Sequence, residues 1–290
     1  MAVHNKVRLV GYLKKDPVIL NNGDEGNEKI LFTIHTTRRN LDYYNGPKFQ
    51  DIVILYDDTR LMPVLKKLIA FDLVDITGVF MSLITKKKSK CPNEECGMIN
   101  EKEFGVSSFV YPIDIVKLNS LHTSFEHSKE IPERVLLRFE EVSNQAMLIG
   151  RLITDPQIFE LKSSYVADTK CCRYKLHIDR KYFVKTQSDI TYDSPWIYTY
   201  GKQAEDDARY LRKGAVIFTE AFIQCRRGPS TMVCKYCGTK YTYPDVETEF
   251  VPYSIEYMSG FLNEAEASAL ESSNESIEAI TAASDIFNSF

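Results

Sequence analysis

The chain carries an internal repeat, and this repeat constrains its fold more than any other feature of the sequence. Gly11-Tyr12-Leu13 with Asp16-Pro17 returns about 140 residues later as Gly150-Arg151-Leu152 with Asp155-Pro156. Three further blocks recur in the same order: residues 32–39 as 174–181, Cys91 to Gly97 as Cys234 to Gly238, and 109–113 as 250–255. Four blocks in one order indicate the duplication of a single domain.

Each copy has the pattern of a small β-barrel. Alternating apolar residues and turn signals predict five strands in each copy, with one helix after the third strand. The predicted strands are 7–10, 30–37, 51–56, 73–80 and 109–116, and then 146–149, 173–178, 195–200, 215–223 and 250–257. The predicted helices are 60–71 and 203–211. This order is typical of an OB barrel, so we predict a mainly β chain with two tandem OB-fold five-stranded barrels.

Charge divides the chain into a basic body and an acidic tail. The net charge is −4, but six acidic residues and no Lys or Arg follow Asn263, so residues 1–262 carry +2. Such an asymmetry hints at nucleic-acid chemistry, and the composition of the tail is typical of disorder. The predicted divisions are a first OB domain (1–120), a connector helix (121–143), a second OB domain (144–262) and a disordered acidic C-terminal tail (263–290).

The connector is predicted from its periodicity. Ile131, Val135, Phe139 and Val142 recur at helical spacing, and Ser128 is a suitable N-cap. The apolar face of this helix docks the two barrels together or packs on one of them. Elsewhere no apolar run reaches the roughly 20 residues that span a bilayer, and we expect an intracellular protein without a membrane partner.

The cysteines point to a metal site. In a reducing compartment, seven cysteines favour metal ligands or free thiols over disulfides. Cys234 and Cys237 precede Gly238, and Cys91 and Cys96 precede Gly97, each pair lying in a hairpin inserted before the last strand. Two thiolates at this spacing suit one edge of a tetrahedral zinc site. The simplest hypothesis is one structural Zn²⁺ held by all four cysteines. A site shared between chains and a set of metal-free thiols are the alternatives.

The second copy resembles the bacterial single-stranded DNA-binding protein family. The similar blocks are 148–152 with Asp155-Pro156, 200–205 and 210–216. The first copy shares Leu9-Val10-Gly11 and Asp16-Pro17, but has Tyr56-Asp57-Asp58 where the family has aromatic-Gly-Lys. The resemblance implies sequence-independent binding of single-stranded DNA in replication, recombination or repair. It also implies the cytoplasm of a bacterium, or of the bacterial host of a phage or mobile element.

Assembly and partners follow from the same resemblance. Members of the family usually carry one barrel per chain and form tetramers, so two barrels per chain imply a homodimer or a monomer. The tail ends in Asp285, Ile286, Phe287 and, after two residues, Phe290. This ending approximates the acidic tip with which the family docks partner proteins. We therefore expect replication or recombination proteins to bind the tail.

Single-strand binding needs aromatic rings for base stacking and cations along the phosphate path. Trp196, Tyr198 and Tyr200 alternate along one predicted strand and so share a face; Tyr56 is the counterpart of Tyr200 in the first copy. Basic and aromatic residues also meet in two loops and precede the two cysteine pairs. These further candidates are Arg180, Lys181, Tyr182, Phe183, Arg38, Arg39, Tyr43, Tyr44, Lys86, Lys87, Arg226 and Arg227. The alternatives are barrel-core positions for the aromatic residues and solvated surface for the cations.

The sequence contains no P-loop, GxSxG elbow or HExxH helix. Non-catalytic binding is therefore the expected activity. Two other functions stay open: an interaction subunit such as a primosome or recombination-mediator component, and an RNA-binding OB protein.

Overall fold

The computed structural model describes residues 4–23, 27–41, 44, 46–119, 130–163, 166–180, 184 and 191–273. The strands of the first unit are β1 His4–Leu13, β2 Val18–Leu20, β3 Lys29–Thr37, β4 Phe49–Tyr56, β5 Leu73–Lys90 and β6 Ile99–Lys117. Those of the second are β7 Asn144–Leu152, β8 Gln157–Ser163, β9 Val166–Asp179, β10 Tyr192–Asp193, β11 Trp196–Tyr200, β12 Val216–Val233 and β13 Lys240–Ser259. The helices are α1 Met62–Leu65, α2 Glu130–Leu136, α3 Lys202–Tyr210 and α4, residues 264–273.

Both units have the predicted barrel. β3 and β4 alternate buried and less buried residues, and strands of both units contribute their buried side chains to an apolar core. The fold class is therefore confirmed: a mainly β chain with two OB-type barrels in tandem. Among the described residues, no helix is both long and apolar enough to cross a membrane.

The two barrels are joined by a strand pair. β1 and β7 run antiparallel from His4↔Ile149 to Leu9↔Asn144, so both barrels belong to one continuous sheet. A buried asparagine stands at the same place in each: Asn5 exchanges two hydrogen bonds with the backbone of Phe80, and Asn144 does so with Ile223. The repeated units are thus related by an approximate two-fold arrangement about the β1–β7 pair.

Two long hairpins project from this pair. Arm one comprises the outer parts of β5 and β6, residues 82–107; arm two comprises the outer parts of β12 and β13, residues 225–248. Each arm touches the barrel of the other unit. The Ser82 N–H donates to Asp193 Oδ1 (2.8 Å), and the Cys225 N–H donates to Gln50 Oε1 (3.1 Å). The predicted cysteine-bearing hairpins are thereby placed across the boundary between units.

The connector does not join the barrels. Among the described residues its helix covers only Glu130–Leu136, followed by a 3₁₀ turn at Leu137–Phe139; Ser128 lies outside them. Leu136 is fully buried against Val10, Tyr12 and Leu73, all of the first unit. The described part of the connector therefore packs on one barrel, which was the second alternative. The two barrels are held together by the β1–β7 pair instead.

Two predicted end segments differ from the structure. The helix predicted at 60–71 ends at Leu65, because the Asp72 and Asp16 carboxylates accept the N–H groups of Ile69 and Ala70 (3.0 and 2.7 Å). Disorder from residue 263 is wrong for its first part, since 264–273 is helical. Asn263 and Glu266 form a capping box there, each side chain accepting the other's backbone N–H.

Candidate nucleic-acid interface

Trp196 stands at the start of β11 on a partly open face of the second barrel. Its ring is half-buried, and two cations from β9 lie against it: Arg173 at 5.4 Å and Lys175 at 5.5 Å from the ring centroid. Phe159 of β8 lies on the other side of Arg173, at 5.6 Å. Neither Arg173 nor Lys175 has an acidic partner among the described residues. We call Phe159, Arg173, Lys175 and Trp196 the platform. Its rings, and cations that are not neutralised by a described carboxylate, are what base stacking and phosphate contact require.

The other two aromatic residues of β11 share the predicted face but are covered. Tyr198 is 7% exposed and Tyr200 is 2% exposed. Tyr44, from the β3–β4 loop of the first unit, lies over Tyr200 with ring centroids 5.0 Å apart and hydrogen-bonds Gln224. Burial raises the pKa of all three phenols. Tyr44, Tyr198 and Tyr200 therefore pack the two units together in this structure, as in the alternative that placed such residues in the core.

A buried carboxylate lies beneath this aromatic cluster. Glu249 is 1% exposed and accepts hydrogen bonds from Arg226 (2.9 Å) and Gln224 (2.7 Å). Burial raises its pKa to about 7, although the charge of Arg226 acts in the opposite direction. Arg226 also lies 5.6 Å from the centroid of the Tyr198 ring. The predicted phosphate contact Arg226 is thus already engaged by a carboxylate.

Three more of the predicted cations are held inside the protein. Arg38 is 3% exposed and donates to the carbonyls of Pro47, Arg39, Tyr44 and Gly46. Arg39 pairs with Glu220 at 2.5 Å, and Arg180 pairs with the buried Asp193 at 2.7 Å. In the sequence these arginines stand beside aromatic residues, which suggested contacts with DNA. In the structure their guanidinium groups instead hold a loop in place or join the two units.

The arm cations differ in how accessible they are. Lys86 is exposed on arm one, whereas Lys87 makes an ion pair with Asp245 of arm two. Arg227 is exposed, with no ion pair among the described residues. Tyr43, Lys181, Tyr182, Phe183, Asp285, Ile286, Phe287 and Phe290 lie outside the described residues.

Groove two lies between the platform and the arms. It has a volume of about 220 Å³ and takes Lys175 and Trp196 from the second barrel and Lys87 and Val106 from arm one. Arm two completes it with Ser230 and residues 245–248. The walls of this groove therefore come from both units, with the tryptophan on one side.

The first barrel has a corresponding groove with different chemistry. His35 and His177 occupy equal positions opposite β1 and β7, and this register makes Thr33 equivalent to Lys175 and Val53 equivalent to Trp196. Groove one, of about 630 Å³, contains Thr33, Val53 and Leu31, the last equivalent to Arg173. The platform is thus replaced by aliphatic side chains in the first unit.

Register also corrects the role expected of Tyr56. Tyr56 pairs with Ile30, the position of Cys172 in the second unit, so its counterpart is Thr199 and not Tyr200. The Tyr56 side chain is fully buried, and its oxygen accepts the Leu61 N–H at 3.0 Å. Tyr56 is consequently a core residue, and the sequence comparison of the two copies is one residue out of step in this strand.

Sequence reasoning missed Arg173, Lys175 and Phe159. The signal was present in β9, where Arg173, Lys175 and His177 alternate with the buried Tyr174 and Leu176. Such alternation places both cations on the outer face. Only the pairing of β9 with β11, Lys175 opposite Trp196, shows that this face is also the one that carries the tryptophan.

The four predicted cysteine ligands meet at the tips of the arms. Cys91 and Cys96 come from arm one and Cys234 and Cys237 from arm two, and all four Sγ atoms lie within 4.8 Å of one another. The Cys91–Cys237 and Cys96–Cys234 separations are both 3.7 Å. Four sulfurs at 2.3 Å from a tetrahedral Zn²⁺ would be about 3.8 Å apart. The donor set, and the two separations of 3.7 Å, therefore fit a zinc site.

The local backbone prepares these thiols for a cation. Gly97 and Gly238 adopt positive φ (55° and 73°), which closes a tight turn after each pair. Burial opposes ionisation of Cys234, but the N–H groups of Cys237 and Tyr236 and the Asn100 amide donate to its sulfur and bring its pKa down to about 6. Burial raises the pKa of Cys91 to about 12, so its thiolate needs a neutralising cation. The other cysteines, Cys171 and Cys172, are fully buried strand residues, and Cys225 is half-buried in β12.

Comparison with known proteins agrees with this architecture. Residues 143–230 match the model of the "Single-strand binding protein family". The second barrel is therefore similar to the single-strand binding protein family over residues 143–230. This barrel carries the sequence match, whereas the first barrel is assigned by fold and register.

Relatives and solved structures fall on different parts of the chain. Over 83 residues, 29% of this chain, it is 36% identical to single-stranded DNA-binding protein 2 of Clostridium acetobutylicum and 34% identical to the single-stranded DNA-binding protein of Clostridium tetani. The matches span 59% and 54% of those two relatives. The crystal structure of the single-stranded DNA-binding protein from Thermus aquaticus covers 92% of this chain and 99% of its own, with a TM-score of 0.57 and 13% identity. That likeness supports the two-barrel fold.

Proposed function

We propose that the protein binds single-stranded DNA without catalysis, and that the second unit supplies the main contact. The observation that carries this proposal is the platform, where the half-buried Trp196 lies against two cations of β9 that make no ion pair among the described residues. Bases stack on such rings for about 1–3 kcal/mol each, and the cations follow the phosphates. Groove two lets one strand lie between this platform and the arms.

The finer roles follow from the family. We propose that the protein coats and protects single strands during replication, recombination or repair in a bacterial cytoplasm. Partner proteins would bind the acidic tail through Asp285, Ile286, Phe287 and Phe290. The functional divisions 1–120, 121–143, 144–262 and 263–290 belong to this proposal, with residues 264–273 as a helical start of the last, and a homodimer or monomer as the assembly.

The four-cysteine cluster belongs to the same proposal. Cys91, Cys96, Cys234 and Cys237 would hold one structural Zn²⁺, the group that ties arm one to arm two. A zinc ion bound by four thiolates has no open coordination position, so its role is structural. One zinc per chain after chelator-free purification is the expected result; a metal content near zero would contradict it.

The deciding experiment titrates the intrinsic fluorescence of Trp196, which is the single tryptophan of the chain, with an oligo-dT strand at two salt concentrations. Strong quenching that weakens with salt supports binding at the platform. Absence of quenching together with no gel shift would overturn the function and favour an interaction subunit. Competition with a matched RNA strand separates DNA binding from the RNA-binding alternative.

A further inference from the structure

The arms form part of groove two, and they meet again at their tips. Lys87 and Val106 of arm one and residues 245–248 of arm two line the groove beside Trp196. The same two hairpins continue to their tips, where each contributes two cysteines to the cluster. The position of the groove wall therefore depends on what holds the hairpins together beyond it.

Among the described side chains, few polar contacts link the arms from the groove wall to the tips. Lys87 pairs with Asp245, and the Tyr241 hydroxyl donates to the Ser89 carbonyl at 3.2 Å. Near the tip, the Lys235 N–H donates to Asn100 Oδ1 at 2.9 Å. Such contacts exchange readily with water, whereas zinc–thiolate bonds contribute folding energy directly.

We infer that zinc occupancy of the arm tips controls the affinity of groove two for single-stranded DNA. This inference rests on the proposed function. With zinc bound, the tips are fixed and Lys87 and Val106 stay opposite Trp196. Without zinc, the tips lose the one group that would join all four cysteines and only a few polar contacts remain between the arms, so the tips separate and the wall of the groove moves away from the platform. The barrels keep the apolar core that they share and the β1–β7 pair in either state.

Removal of the metal is a practical test because Cys237 is exposed, so the site is open to a chelator. The zinc-loaded full chain is titrated with oligo-dT by Trp196 quenching, then again after chelation, and a third time after zinc is restored. We expect chelation to weaken binding at least tenfold and zinc to restore it. Far-ultraviolet circular dichroism should change little, while trypsin cleavage at Lys86 to Lys90 should accelerate.

A matched pair of cysteine variants tests whether the four-cysteine cluster itself, and not the loss of any cysteine from arm two, controls binding. Cys237→Ser should bind the oligonucleotide weakly and lose its response to chelator. Cys225→Ser, in the same arm but outside the cluster, should keep both affinity and response. Both substitutions exchange sulfur for oxygen, so side-chain size changes equally.

The outcomes distinguish the inference from the function that it assumes. If the zinc-loaded chain does not bind oligo-dT, the proposed function fails and this inference with it. If the chain binds equally well with and without zinc, the function stands and the inference is overturned. If chelation unfolds the barrels, as seen by circular dichroism, zinc is a folding requirement and control of the groove through the arms is likewise overturned.

Discussion

At the scale of single residues, partners decide which aromatic and basic side chains are available. Trp196, Tyr198 and Tyr200 lie on one face of β11, yet both tyrosines are buried, Tyr200 against Tyr44 of the other unit, whereas the tryptophan is only half-buried. Arg226 and Arg180 are paired with buried carboxylates, whereas Arg173 and Lys175 are not. Availability is thus a property of the neighbours and not of the residue type.

The platform residues have distinguishable effects on binding. Trp196→Ala should weaken binding of dye-labelled oligo-dT by about 5- to 150-fold, the equivalent of one stack of about 1–3 kcal/mol. Trp196→Phe should lose less. Lys175→Ala should reduce the slope of log affinity against log salt concentration by the amount that corresponds to about one phosphate contact. A slope equal to that of the wild type would show that Lys175 contacts no phosphate.

Glu249 predicts a pH dependence of stability. Its pKa is raised from 4.5 to about 7 by burial, so the folded state binds a proton more tightly than the unfolded chain. Stability from this site is therefore full below pH 4.5 and falls as the pH rises through about 7, by up to roughly 3 kcal/mol. Urea unfolding at pH 5 and pH 8 should show a smaller difference for Glu249→Gln than for the wild type. Equal differences would argue against the raised pKa.

At the scale of elements, hydrogen bonds from backbone N–H groups to nearby side chains decide where helices begin and end. α1 stops early because two carboxylates accept the next N–H groups, and α4 forms because Asn263 and Glu266 cap its start. α4 also docks on α3 through Arg209, which pairs with Glu264 (2.9 Å) and Glu271 (3.1 Å). The acidic tail is thus anchored to the second barrel over its first ten residues.

The cap of α4 can be tested directly. Asn263→Ala removes the acceptor for the Glu266 N–H and should cost about 1 kcal/mol of helix stability. Amide hydrogen exchange in residues 264–273 should rise several-fold, while exchange in the barrel strands should not change. Asn263→Asp keeps a capping oxygen and should preserve the protection; equal exchange in both variants would contradict the capping role.

At the scale of the whole molecule, duplication gave two barrels with unequal faces. The same register that places Trp196 and Lys175 in the second unit places Val53 and Thr33 in the first. Half-exposed Val18 and Leu31 extend the aliphatic strip of the first unit. The two units therefore have the same strand arrangement but differ in the side chains that line their grooves.

Rebuilding the platform in the first unit tests this asymmetry. Val53→Trp with Thr33→Lys should add a stacking ring and a cation beside groove one and raise the affinity for long oligo-dT by about one stack, 1–3 kcal/mol. Short strands that fill only groove two should show no gain. Val53→Leu with Thr33→Ser serves as the control pair. A gain that is equal for short and long strands would place the added contact elsewhere.

Local sequence patterns predicted four features of this protein: the repeat, the barrel class, the cysteine pairs and Trp196. The patterns are alternation of apolar residues, turn residues, the spacing of the cysteines and a single tryptophan. The burial of Tyr198 and Tyr200 depends on packing between the two units, where Tyr44 meets residues more than 150 positions away. The equivalence of Val53 with Trp196 depends on strand register. The partners of Arg38 and Arg180 are nearer in sequence, but they depend on how each loop folds back on its strand. Only tertiary structure decides these, because a side chain's solvent and charge environment is set by whichever distant strand packs on it. The cysteine cluster shows the same division. The sequence predicts the four ligands, but only the meeting of the two arm tips brings sulfurs of different arms to 3.7 Å from each other.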